Sequence, residues 1–216
     1  SLTLNPIYVY PGICGSTSFN QTYNYTDFAP NKLTPNFYQI YIPPNDYSPV
    51  KRVEKAIDAT ALLLAKGIPV ELSIVGDWLP RDAEYVEELK KRVSVAHIGS
   101  QVTFIKGVDF MDAPHIYQSH EIFLNFTDSG SFDKTVIEAL ACGTKVLVSN
   151  TSMAELLPEG SYTTGERYDI VEKIIHLQSL DSVTVTEYQE KAKSVVEQQS
   201  LSRLINLLYT YIHGNK

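Results

Sequence analysis

The chain has 216 residues, 44% of them hydrophobic, and a formal charge of −7. That is enough apolar material for one full core. The acidic balance argues against a nucleic-acid binder, although an anionic nucleotide stays compatible because a few lysines and backbone N–H groups decide its binding locally.

Residues 1–35 read as a linker or irregular segment. Ile7 to Ile13 has a strand-like pattern running into Pro11-Gly12, and the Asn, Thr, Tyr and Pro that follow have no period. The opening Ser-Leu without Met reads as the start of a piece cut from a longer protein. Regular patterning begins at Asn36, so one domain is expected over 36–216. Phe37 to Ile42 reads as a strand ended by Pro43-Pro44. Val50 to Lys66 is an amphipathic helix stopped by Gly67, and Val70 to Val75 is a strand closed by Gly76-Asp77. Asp82 is placed to cap a second helix running to about His97, with Gly99 as its stop. Val102 to Ile105 is the next strand, Lys106 to Asp109 a loop, and Asp112 to Ser119 a short helix.

The stretch from Glu121 to Asn150 organises the rest. It reads as strand (EIFLNF), polar glycine-containing loop (Thr127 to Thr135), helix (Thr135 to Cys142), a turn at Gly143 and a strand from Lys145 to Val148. A helix start that follows a strand offers unpaired N–H groups and partial positive charge, which suits an anion. Glu138 lies one turn in, within reach of sugar hydroxyls. Beyond it come a short turn and helix (Ser152 to Leu157), a weak strand (Ser161 to Thr163), a helix at Tyr168 to Leu177 and a long helix from Thr186 to Ile212.

Strands alternating with helices at this spacing imply an α/β fold with an open parallel sheet and helices on both faces. Ligands then bind beyond the carboxyl ends of the strands. No run approaches the ~18 apolar residues of a membrane span. The two cysteines, Cys14 and Cys142, form no CxxC pair and have no histidine at ligand spacing. Neither a zinc site nor a disulfide framework is expected, and a reducing, cytoplasmic setting is. Glycosylation sequons at Asn20, Asn24, Asn125 and Asn150 read as chance occurrences, since the last two fall at the ligand loop and a strand end. His115, His120 and Cys142 read as structural. Asp77 either caps its turn or lines the cleft, and Trp78 either lines the site or covers the sheet end.

Five segments in register carry a family resemblance: PVKRVEKAIDA (Pro49 to Ala59), VELSIVGD (Val70 to Asp77), VTFIKGV (Val102 to Val108), SFDKTVIEALACGTKVLVSN (Ser131 to Asn150) and Ala154-Glu155-Leu156. Over about residues 36–200 the chain resembles the C-terminal, Rossmann-like, nucleotide-sugar-binding half of a retaining glycosyltransferase of the GT-B fold, group 1 (family 4). The resemblance implies a nucleoside-diphosphate sugar as donor, no cofactor and no metal. It also implies an acceptor-binding N-terminal half that this chain lacks, and an acceptor that is free or at a membrane surface. The isolated chain is then expected to bind donor weakly and transfer nothing.

The family's donor motif is a glutamate, seven residues and a second glutamate. Glu138 matches the second, implied to accept hydrogen bonds from the ribose, while Gly130 stands where the first belongs. Asp128 and Asp133 are the carboxylates in the loop that can take over its work. Phe132 matches the family phenylalanine, and Ser131, Asp133, Lys134 and Thr135 replace Gly, Gly, Leu and Pro. That Ser-Phe-Asp-Lys version resembles a recognisable subgroup, which favours an active variant. Lys51 matches the diphosphate-binding lysine, the arginine that usually precedes it is absent, and Lys134 is a candidate second cation. Lys106, Val108 and their loop match the base-reading segment.

Rival readings are a sugar-nucleotide epimerase or glycogen-synthase-like enzyme on the same fold, a degenerate non-catalytic nucleotide-binding or interaction module, and a flavodoxin-like or dinucleotide-binding domain. No G-x-G-x-x-G follows the first strand, which counts against the last.

Overall fold

The computed structural model describes residues 38–42, 49–109, 112–127 and 133–199, together with 203, 209, 210 and 212. The expected linker over 1–35 lies outside the described residues. Five parallel strands form one sheet in the order β3-β2-β1-β4-β5: β1 (Tyr38–Ile42), β2 (Val70–Val75), β3 (Val102–Ile105), β4 (Ile122–Asn125) and β5 (Lys145–Val148). Every adjacent pair is parallel, with Ile40 opposite Leu72 on one side and Ile122 on the other.

Six helices complete the described fold: α1 (Val53–Ala65), α2 (Ala83–Val95), α3 (Ala113–Gln118), α4 (Lys134–Ala141), α5 (Arg167–Gln178) and α6 (Ser182–Gln198). They pack in two groups, α1 with α2 and α5, and α4 with α3 and α6. A sheet covered on both faces needs strands apolar on both faces. All four residues of β4 are buried accordingly, as are Val146, Leu147 and Val148 of β5. The helices answer with single apolar stripes, such as Val53, Ala56, Ile57, Ala59 and Leu63 of α1. No helix among the described residues is long and apolar enough to cross a membrane.

Several expected boundaries move, each for a local reason. The helix expected from Val50 is a 3₁₀ turn at Pro49–Lys51 followed by α1, with Arg52 between them in the left-handed region at φ 52°. Lys51 therefore sits on the turn before the helix and not on the helix itself. Asp82 does precede α2, but its side chain makes no cap bond; it is buried and lies 3.6 Å from the Arg81 guanidinium. The turn after α2 is made by His97 at φ 57°, not by Gly99. The weak strand at Ser161 to Thr163 is a single bridge, with the Val148 N–H donating to the Ser161 carbonyl (2.8 Å) and Thr163 N–H to Val148 (2.9 Å). The last long helix starts earlier than expected, because Asp181 caps α6 by accepting from the Thr184 N–H at 2.8 Å. Its described run ends at Gln198.

The chain leaves β1 toward β2 on one side, and leaves β4 toward β5 on the other. The winding sense therefore reverses between β1 and β4. A crevice opens at the carboxyl ends of strands where this happens, and it is where such sheets take ligands.

Candidate functional site

The reversal brings together the turn after β1, the end of β4 and the start of α4. Lys51 Nζ lies 3.5 Å from Asp133 Oδ2. Asp133 is the N-cap of α4, and its Oδ1 accepts from the Thr135 N–H (3.1 Å) and the Thr135 hydroxyl (2.6 Å). Its Oδ2 also accepts from Asn125 Nδ2 at 2.7 Å. Burial alone would raise this carboxyl's pKa. The Thr135 hydroxyl, the Lys51 charge, the Asn125 amide and the Thr135 N–H outweigh it and hold Asp133 below the usual carboxylate range. A carboxylate offers about four lone-pair sites, and Asp133 accepts three hydrogen bonds and carries the Lys51 ion pair. It is thus engaged in holding Lys51, Asn125 and the helix start.

Glu138 has the opposite environment. Its Oε2 accepts one hydrogen bond, from the Tyr117 hydroxyl of α3 at 3.0 Å. Burial pushes its pKa from 4.5 to about 7; the Tyr117 bond opposes the rise, the Asp133 charge adds to it and Lys134 subtracts from it. Lys134 is the first residue of α4 and is partly exposed. Cys142, one turn beyond Glu138, has its thiol pushed up to about 12 by burial and by Glu138, so it stays a neutral structural group.

Further along the strand ends, Asp77 ties the β2 loop to the β3 loop by accepting from the Gly107 N–H at 3.3 Å. A Cβ built on Gly107 would lie 2.6 Å from Asp77 Oδ2, so a side chain there would push the exposed carboxylate aside. Lys106 is exposed, and Val108 packs against the core. Trp78 is 46% exposed with Lys90 Nζ 5.6 Å from its ring centroid, beside an exposed Leu79. His115 is exposed; His120 is buried with Nδ1 against the Ile116 carbonyl at 2.7 Å. Asp128, Gly130, Ser131 and Phe132 lie outside the described residues.

The structure thus brings Lys51, Asp133, Lys134, Thr135 and Glu138 into one cluster at the sheet reversal, while Asp77, Lys106 and Val108 form a separate cluster of loops at the β2 and β3 ends. Sequence reasoning missed two partners. Asn125 registered only as a sequon, yet it is 3% exposed, bonded to Asp133, and accepts from the Thr127 N–H at 3.1 Å. A polar residue ending an otherwise apolar strand was its signal. Tyr117, on the apolar face of α3, gave no signal distinct from core.

A reversing parallel sheet, with Lys51 and a capped helix start at the reversal, defines a Rossmann-like α/β domain. The family model described as glycosyl transferases group 1 matches residues 31–169, and the chain belongs to that family. No curated protein matches its sequence. Among solved structures, it is similar to Alr3699/HepE of Anabaena in complex with UDP, at 22% identity and TM-score 0.71 over 82% of this chain and 48% of that one. It is also similar to the C-terminal domain of a group 1 glycosyl transferase (LpcC) of Francisella tularensis, at 23% identity and TM-score 0.65 over 75% and 85%. A glycosyltransferase of Rickettsia africae matches at 19% identity and TM-score 0.68 over 88% and 55%. The chain spans about half the length of the Anabaena protein but 85% of the isolated C-terminal domain. That is the placement of the C-terminal half of a GT-B fold.

Proposed function

We propose that this chain is the donor-binding domain of a retaining glycosyltransferase, which moves a sugar from a nucleoside diphosphate to an acceptor hydroxyl in glycan or glycoconjugate synthesis. The observation that carries the reading is the meeting of Lys51 with the N-terminus of α4 across the sheet reversal. As the bond from sugar to diphosphate breaks, negative charge grows on the leaving phosphate. Lys51 and the positive end of the α4 dipole stabilise it there, with Lys134 as a further cation and no metal required. Glu138 accepts from the ribose hydroxyls. The Anabaena protein of this fold was captured with UDP and with UDP-glucose, which supports a nucleoside-diphosphate ligand. The acceptor is bound by a separate N-terminal half, so the isolated chain binds donor weakly and turns nothing over.

The test is a calorimetric titration of this chain with UDP, GDP and ADP, alongside Lys51→Ala and Glu138→Ala. Binding of one diphosphate, weakened about tenfold or more by either substitution, is the expected result. If both variants bind as well as the wild type, the nucleotide sits elsewhere and the site assignment fails. A wild type that binds none of them at millimolar concentration, also when joined to its acceptor half, is instead a degenerate module.

A further inference from the structure

Tyr117 is fixed before any ligand arrives. Its side chain is 1% exposed, and its ring stands edge-on to Phe123 with centroids 5.5 Å apart and planes at 69°. Its own carbonyl accepts from the buried Thr144 hydroxyl at 2.6 Å. Backbone and ring are both held, so the hydroxyl is an immobile donor aimed at Glu138 Oε2. The other oxygen of Glu138 accepts no hydrogen bond among the described residues. Of the two acids, Asp133 accepts three hydrogen bonds and faces Lys51, whereas Glu138 accepts one and has acceptor sites to spare.

We infer that Tyr117 is a positioning residue of the donor site: its hydroxyl pins one oxygen of Glu138 and turns the other to accept from two neighbouring hydroxyls of a nucleoside ribose. This rests on the donor-binding reading above. The groups bearing on the Glu138 charge are Tyr117 from α3, Asp133 and Lys134 at the head of α4, and Cys142 a turn further on. Burial and Asp133 oppose the charged form, while Tyr117 and Lys134 favour it. Removing the phenol therefore raises the pH at which Glu138 ionises, and weakens the ribose contact most where wild-type Glu138 is charged and the variant is not.

The experiment uses Tyr117→Phe, which keeps the ring against Phe123 and removes only the hydroxyl. Carboxyl-carbon NMR of the ligand-free chain follows Glu138, assigned by its absence in Glu138→Gln. UDP and 2′-deoxy-UDP affinities are measured by calorimetry as a function of pH. The expected result is a Glu138 midpoint about one pH unit higher in Tyr117→Phe, and UDP binding about tenfold weaker near neutrality. The deficit shrinks at alkaline pH and is smaller for 2′-deoxy-UDP. A purely structural role would weaken binding equally at every pH and for both nucleotides, and would overturn the inference. An unmoved Glu138 midpoint overturns it as well, without reference to any nucleotide. If wild type binds no nucleotide, also when joined to its acceptor half, while the midpoint moves, the Tyr117–Glu138 coupling stands and the donor reading fails.

Discussion

Glu138 carries a cost that can be measured without any ligand. Its carboxyl rises from 4.5 to about 7 on folding, chiefly through burial. Between those values the folded state binds the proton that the unfolded state has released. Stability contributed by the protonated acid is therefore complete below the unfolded value and is lost as pH rises through the folded one. At about 1.4 kcal/mol per pKa unit, the full loss above neutrality is on the order of 3 kcal/mol. Glu138→Gln keeps the shape and an acceptor for the Tyr117 hydroxyl but never charges. For a chain of this length, roughly 2–4 °C accompanies each kcal/mol. The variant should therefore melt about 6–12 °C above wild type at mildly alkaline pH and within a degree or so of it near pH 4.5. Scanning calorimetry across that range checks it. A gap independent of pH, or one that widens toward acid, would refute the assignment of the cost to a buried charge. A site that keeps so costly a group is consistent with a group kept for binding, since stability and function trade against each other there.

Asp133→Ala removes the cap of α4 and leaves the buried Asn125 amide without its acceptor, at a cost of about 2–3 kcal/mol in urea unfolding. Because the folded carboxyl lies below the usual range, wild type keeps this stability above the unfolded value and loses it as pH falls through the folded one, whereas Asp133→Ala shows no such acid limb. Tyr188 anchors α6 to the sheet, its hydroxyl accepting from the Val146 N–H at 2.9 Å and lying 2.8 Å from the Ser161 hydroxyl. Tyr188→Phe should cost about 1–3 kcal/mol and speed hydrogen exchange at the Val146 amide more than at its β5 neighbours. An unchanged Val146 amide would show that the anchor is not formed in solution.

The architecture was legible because its signals are periodic: apolar runs of strand length alternating with amphipathic helices leave little choice but a covered parallel sheet. What escaped was chemistry decided by a single dihedral or a single long-range pair. Lys51 was expected on a helix, but the left-handed backbone at Arg52 separates it from α1, and nothing in PVKRVEK announces a positive φ on an arginine. His97 likewise takes the turn that Gly99 seemed made for. Glu138 could be placed at the crevice by counting along the helix. Its Tyr117 partner lies 21 residues away on another helix and came only with the fold.

On the donor-binding reading proposed above, the same geometry orders what would yield when a diphosphate enters. Asp133 stands where the resembling motif has glycine, so a carboxylate already fills part of the space in which a phosphate would meet the helix start. Its bonds to the Thr135 hydroxyl and the Asn125 amide, 2.6 and 2.7 Å, are short and shielded. Its contact with Lys51, 3.5 Å, is the longest of the four and involves a flexible side chain. A loose ion pair of this kind contributes about 1 kcal/mol or less, while a charge-assisted bond to phosphate is stronger. Lys51 is thus the partner that exchanges at least cost, and Asp133, still bound to Thr135 and Asn125, keeps the helix start in shape while it does so. On that reading one acid holds the cation and caps the helix, and the other keeps open acceptor sites for the ligand.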